Sequence, residues 1–213
     1  MEISPEELEE RGYVQIEEME HHDIAPFLQK YMKKRTIYSV FYYTSNLVLL
    51  GFLGYYFAEG YGSSDYSFAA RFAHFSYGLP IAVALIPLHE YIHVLAYKSQ
   101  GAKQTSYDAN LKKFYFMALA DKFVANKKEF EVVALSPFIV ISAALIGLLF
   151  MVNPDWVLTV LAVLFAHTAM CSGDFGLLSY FEFNKEKQVV TYDDIENKVS
   201  YFYGRISEKE KNT

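Results

Sequence analysis

Polar and apolar positions along this chain fall into blocks. Residues 1–35 are polar and strongly acidic, with the stretches "SPEELEE" and "IEEMEHHD". Four long apolar runs follow. Thr36 to Ala58 contains no charged residue, and the run from Phe72 to Tyr97 holds Glu90 as its only Asp, Glu, Lys or Arg. Val132 to Asn153 and Trp156 to Gly173 are separated only by Asn153, Pro154 and Asp155, which predicts a tight helical hairpin. A bilayer core of about 30 Å takes roughly 20 apolar residues in a helix. Helices of a small soluble domain show polar faces, and these runs show almost none. The pattern predicts an all-α integral membrane protein with about four transmembrane helices, near 36–58, 72–97, 132–152 and 156–174.

The segments between the runs read differently. "AKQTSYDANLKKFYFMALADKFVANKK" is rich in Tyr, Phe and Thr, with a polar turn at Asp108 to Asn110. It predicts a small cytoplasmic β-hairpin-like segment between helices 2 and 3. "KQVVTYDD" and "KVSYFYGRI" near the C-terminus look similar. Three regions result: a loosely helical polar lead-in over 1–35 with a turn at Pro26, a membrane-embedded domain over 36–180, and a cytoplasmic tail over 181–213.

Charge orients this arrangement, because Lys and Arg in short flanks are retained on the cytoplasmic side. Lys30, Lys33, Lys34 and Arg35 precede the first run, and seven lysines from Lys98 to Lys128 follow the second. The tail adds Lys185 and Lys187, whereas Glu59 to Ala70 and the Pro154 hairpin carry no Lys or Arg. Both termini are therefore expected in the cytoplasm, in a plasma (inner) membrane. The first thirty residues lack the basic start and apolar core of a signal peptide, so the first run is expected to direct its own insertion. A net charge of −6 supplies no basic surface and excludes nucleic acid as a partner. The expected partners are membrane lipid and a peptide or membrane-protein substrate. The single cysteine, Cys171, excludes an internal disulfide framework.

The second run contains "HEYIH". A helix turns 100° per residue, so His89 and His93 share a face one turn apart and can present two imidazole nitrogens to one Zn²⁺. Glu90, offset by one position, is placed to act as a general base toward water. At this chain's own His and Glu frequencies the motif is expected on the order of 0.01 times by chance. An ionisable group among apolar spans also costs roughly 2.5–3.5 kcal/mol, and persists where it has partners or a function.

A catalytic zinc site needs a third protein ligand. The candidates are His21, His22, His74, His167 and acidic residues near span ends. His89 lies about 26 Å of helix after Phe72, and Asp174 about 27 Å after Trp156. Both spans run from outside to inside, so His89 and Asp174 are expected at similar depth near the cytoplasmic face. His167, two turns from Asp174, is expected about 10 Å deeper, as a contact to substrate, a donor behind a ligand, or equally a side chain packed between helices. His21 and His22 are expected to be solvated. The facing of His74 does not follow from the pattern. Pro87 removes a backbone donor inside the span and predicts a kink there.

Two rival readings share these residues. HEYIH also fits the HxxxH box of membrane di-iron lipid-modifying enzymes, but such enzymes carry about eight histidines in several boxes; here there are six, with one such pair. A catalytically inactive metal-binding membrane scaffold would use the same ligands without turnover.

"HEYIH" on a span, then "GAKQTSYDANLKKFYF", "LSPF" opening the next span and "SGD" ending the last resemble the zincin peptidases of the DUF3267 family. These are similar in layout to site-2-protease membrane metallopeptidases. The resemblance covers roughly residues 70 to 180, with "TYDDIENKVSYFY" a weaker echo. It implies a zinc-dependent membrane metalloendopeptidase with Zn²⁺ as cofactor, His89, His93 and Asp174 as ligands and Glu90 as the catalytic base. One departure stands out. The aspartate sits in "CSGDFG", where site-2 proteases carry an Asn/Pro-rich run ending in Leu-Asp-Gly.

Overall fold

The computed structural model describes residues 4–59, 67–110 and 115–205. In chain order the elements are β1 (Val14–Glu20), α1 (Ile24–Met32), α2 (Ile37–Glu59), α3 (Phe68–Ala84), α4 (Ile86–Ser99), β2 (Thr105–Asn110), β3 (Tyr115–Ala120), β4 (Ala125–Asn126), α5 (Lys127–Leu149), α6 (Pro154–Met170), α7 (Ser172–Phe183), β5 (Val190–Asp194) and β6 (Val199–Gly204), with short 3-10 turns between some of them. Among the described residues, three helical stretches are long and apolar enough to cross a membrane: α2, the α3–α4 run from Phe68 to Ser99, and α5. The pair α6 and α7, bent by 41°, makes a fourth if it is one span.

The all-α expectation is corrected by the strands. The lead-in forms β1, which joins the C-terminal strands in a four-stranded antiparallel sheet of order β1-β6-β5-β4. "VQIEEME" is too acidic to announce a strand, and its pairing partner β6 lies at the far end of the chain. Non-local pairing of this kind leaves no local trace. Pro26 lies in the first turn of α1, where a missing N–H costs nothing. The hairpin between the second and third spans is present as β2 and β3, paired from Thr105↔Ala120 to Asn110↔Tyr115. Asp108 to Asn110, expected as a turn, belong to strand β2, and residues 111–114 lie outside the described residues.

By its internal contacts the chain divides into two compact units. The first comprises Met1–Ser39, Glu90–Ser136 and Gly173–Thr213. Its core is aromatic: Tyr180 of α7 lies 4.5 Å from Phe202 of β6 and 4.8 Å from Tyr31 of α1, ring centre to ring centre. Such pairs add to the stabilisation from apolar burial. Helix α1 packs directly on Gly176 of α7, where a Cβ would come within 2.8 Å of Leu28.

The second unit comprises Val40–His89 and Pro137–Ser172. Its apolar side chains face outward as well as inward: Leu47, Phe52 and Tyr55 of α2 are all more than half exposed. Helices apolar on every side suit a surround of lipid. Helices α3 and α6 meet at Gly78, where a Cβ would fall 2.4 Å from the Cβ of Ala162. Close backbone approach at small residues is how helices associate without a hydrophobic drive. Beside it the Thr159 hydroxyl donates to the His74 carbonyl at 3.0 Å, and Nδ1 of His74 lies 3.0 Å from Oγ1 of Thr159. The interruption expected at Pro87 occurs at Leu85, where α3 ends and α4 begins. Pro87 then occupies the first turn of α4, so its ring opposes no helix bond.

Candidate metal centre

The centre is built from α4 outward. His89 and His93 lie one turn apart on this helix, and Glu90 and His93 are buried. Nδ1 of His93 lies 3.0 Å from the carbonyl oxygen of Val133 in α5. A carbonyl only accepts, so Nδ1 carries the proton and Nε2 is the ring atom left to serve a metal. The carbonyl is available for a reason written in the sequence. In an α-helix it would accept from the amide four residues on, which is Pro137, and proline has no N–H. The proline of "LSPF" thus leaves an acceptor in the middle of an apolar helix, and His93 uses it.

Nε2 of His93 points to Asp174, with Oδ1 at 3.1 Å. Asp174 lies in the first turn of α7, where the helix dipole favours a carboxylate. His93 and Asp174, both in the first unit, each offer a ligand atom. Two donors bound at about 2.0–2.1 Å to a tetrahedral ion stand about 3.3 Å apart. The His93–Asp174 spacing is close to that edge, and an imidazole with a carboxylate is a donor pair zinc accepts. The pair can therefore supply two ligands to a metal.

Glu90, His93 and Asp174 open onto a cavity of about 100 Å³ inside the first unit. Strand β3, from Phe116 to Leu119, forms one wall. At its other polar end are Thr191, Asp193 and Ser200. The Ser200 hydroxyl donates to Asp193 Oδ1 at 2.6 Å, and the Ala120 amide reaches Oδ2 at 3.4 Å. Burial pushes the Asp193 carboxyl above the usual range, against these hydrogen bonds and the nearby His21.

His21 corrects one expectation. Read as solvated, it is 1 % exposed, with Nδ1 3.1 Å from Asp108 Oδ2 and Nε2 3.5 Å from the Ser200 hydroxyl. It links the lead-in to β2 and β6. Its neighbour His22 is half exposed, as expected. His74 lies among Thr159, Tyr77 and Trp156, with its ring 4.9 Å from the indole.

In the second unit, Nε2 of His167 lies 3.4 Å from Nδ1 of His89. The fourth apolar run is interrupted between α6 and α7, at Cys171. Sequence reasoning did not single out Val133, Asp193, Ser200 or Cys171. Only the first carried a usable signal, a proline four residues later inside an apolar run.

Residues 82–189 match the model of the DUF3267 family, whose description reads "Putative zincin peptidase". No curated protein and no solved structure matches the chain.

Proposed function

From the premise that the chain belongs to the DUF3267 zincin peptidase family, we propose that it is a membrane-embedded zinc metalloendopeptidase. In this reading His89, His93 and Asp174 hold Zn²⁺ near the cytoplasmic face, and Glu90 is the catalytic base. The observation that carries it is the 3.1 Å approach of Asp174 Oδ1 to His93 Nε2, which supplies HEYIH with an acidic partner from a distant helix. Helices long and apolar enough to span support the membrane setting. The lysine-rich and lysine-poor flanks support cytoplasmic termini in a plasma (inner) membrane.

Zinc held there supplies a Lewis acid for the scissile carbonyl and makes water a nucleophile at neutral pH. The remaining work falls to the chain. Val133 fixes the His93 tautomer through Nδ1–H, so that Nε2 stays a ligand atom. Glu90 faces the cavity, accepts a proton from the attacking water at its carboxylate and returns it to the departing amine. His167, opposite Nδ1 of His89, serves as a positioning residue for that ring. Strand β3 forms the cavity wall along which an extended substrate backbone can lie.

The test of the ligand set is metal analysis of purified full-length protein in a Cys171→Ser background, which removes the only thiol. The parent should carry one zinc per chain. His93→Ala and Asp174→Ala should each abolish it, because two ligands do not hold a structured site. Retention of full zinc by Asp174→Ala in that background would remove the aspartate from the set.

A further inference from the structure

A second group of metal-ligand atoms lies in the second unit and shares His89, and the His167 beside it, with the reading above. His89, His167 and Cys171 each offer a ligand atom, and all three lie within 4.8 Å of one another. His167 and Cys171 come from one face of α6 and its C-terminal cap, four residues apart, and both are buried. That spacing sets two donors one turn apart, as HEYIH does with two histidines. The distances match a coordination shell. Nε2 of His167 is 3.4 Å from Nδ1 of His89 and 4.0 Å from Sγ of Cys171. Around a tetrahedral zinc two imidazole nitrogens stand about 3.3 Å apart, and a nitrogen and a thiolate sulfur, at about 2.0 and 2.3 Å from the ion, about 3.5 Å. A closing movement of about 0.5 Å by the thiol brings the His167–Cys171 edge to that length.

We propose that His89, His167 and Cys171 form a second, thiolate-containing position for a soft divalent cation such as Zn²⁺ or Cd²⁺. The thiol now donates to the His167 carbonyl at 3.3 Å. On binding, the S–H bond breaks, the proton leaves to solvent and the sulfur pair forms the bond to the metal, with no change of oxidation state. Thiolate ligation selects soft cations over Mg²⁺ or Ca²⁺. Because Nδ1 of His89 faces this position, filling it draws on a ring that the proposed peptidase also uses as a ligand. The two positions therefore compete for one imidazole, and the second acts as a holding place that withdraws His89 from the first.

The proposal does not depend on peptide hydrolysis, so its test reads a signature of sulfur rather than activity. Purified full-length wild type and Asp174→Ala are titrated with Cd²⁺ in detergent, and the ultraviolet thiolate-to-cadmium charge-transfer band is followed, with circular dichroism to confirm folding. The band should saturate at one equivalent in Asp174→Ala, where the HEYIH group lacks its third ligand. Cys171→Ser should abolish it, and His167→Ala should weaken cadmium affinity at least tenfold. Folded Asp174→Ala without a band would overturn the proposal. So would an unchanged titration of His167→Ala, because the thiol would then bind alone. Failure of the zinc peptidase reading would appear instead as zinc retained by Asp174→Ala in the Cys171→Ser background, with this band unaffected.

Discussion

At the scale of single residues, the centre depends on one absent hydrogen atom. Pro137 has no amide proton, so Val133 keeps its carbonyl for His93 Nδ1. Pro137→Ala restores the competing amide and makes α5 locally more regular. It should lower zinc affinity by roughly 10- to 100-fold, the usual effect of losing an outer partner of a ligating histidine. Competition with a chromophoric chelator checks this, and unchanged affinity would show that His93 is oriented by other means. Asp193 supplies a second residue-scale expectation. Its carboxyl is raised in the folded protein by burial, so the neutral form is favoured there. Its contribution to stability is fully present below the ordinary carboxylate pKa, about 3.9. It is lost as pH rises through the elevated native pKa. Asp193→Asn should flatten that part of the profile of melting temperature against pH, and a variant whose profile still falls as steeply there would assign the pH dependence to another group.

At the scale of elements, what was legible in the sequence depended on how local its cause was. The four apolar runs are recovered as α2, the α3–α4 run, α5 and the bent α6–α7 pair, because a span's character is written in every residue of it. The β2–β3 hairpin was legible from its Tyr, Phe and Thr content, though Asp108 to Asn110 proved to be strand. Strand β1 was not, since Val14 to Glu20 acquire their conformation from β6. The bend at Cys171 was also hidden, because no proline or charge marks it. HEYIH could be read because helical periodicity alone fixes its geometry, whereas the burial of His21 depends on Asp108 and Ser200 from remote strands. The crossing of α3 and α6 offers a direct probe of element packing. Gly78→Ala puts a methyl where only 2.4 Å separates it from Ala162, and backbone lies behind. Overpacking of this kind costs about 1–3 kcal/mol. A lower melting temperature in detergent is expected, and an unchanged one would show that the helices separate freely.

At the scale of the whole molecule, the proposed function places metal chemistry in a chain whose helices are long and apolar enough to cross a membrane, and puts both termini in the cytoplasm. Accessibility labelling in intact cells tests the orientation, in a Cys171→Ser background. A membrane-impermeant thiol reagent should reach Gly62→Cys but neither Gln104→Cys nor Asn197→Cys; labelling at position 104 from outside would reverse the topology. The claim of proteolysis stands on Glu90, buried at the cavity beside His93 and Asp174. Glu90→Gln keeps the size of the side chain and removes the carboxylate that takes the proton. The decisive measurement compares zinc content and membrane-protein cleavage in cells carrying wild type or Glu90→Gln at native expression. Zinc should stay near one per chain while turnover falls by roughly 10²- to 10⁴-fold and an uncleaved membrane partner accumulates. Full cleavage by Glu90→Gln, or full complementation of a deletion strain, would contradict a peptidase acting through this residue.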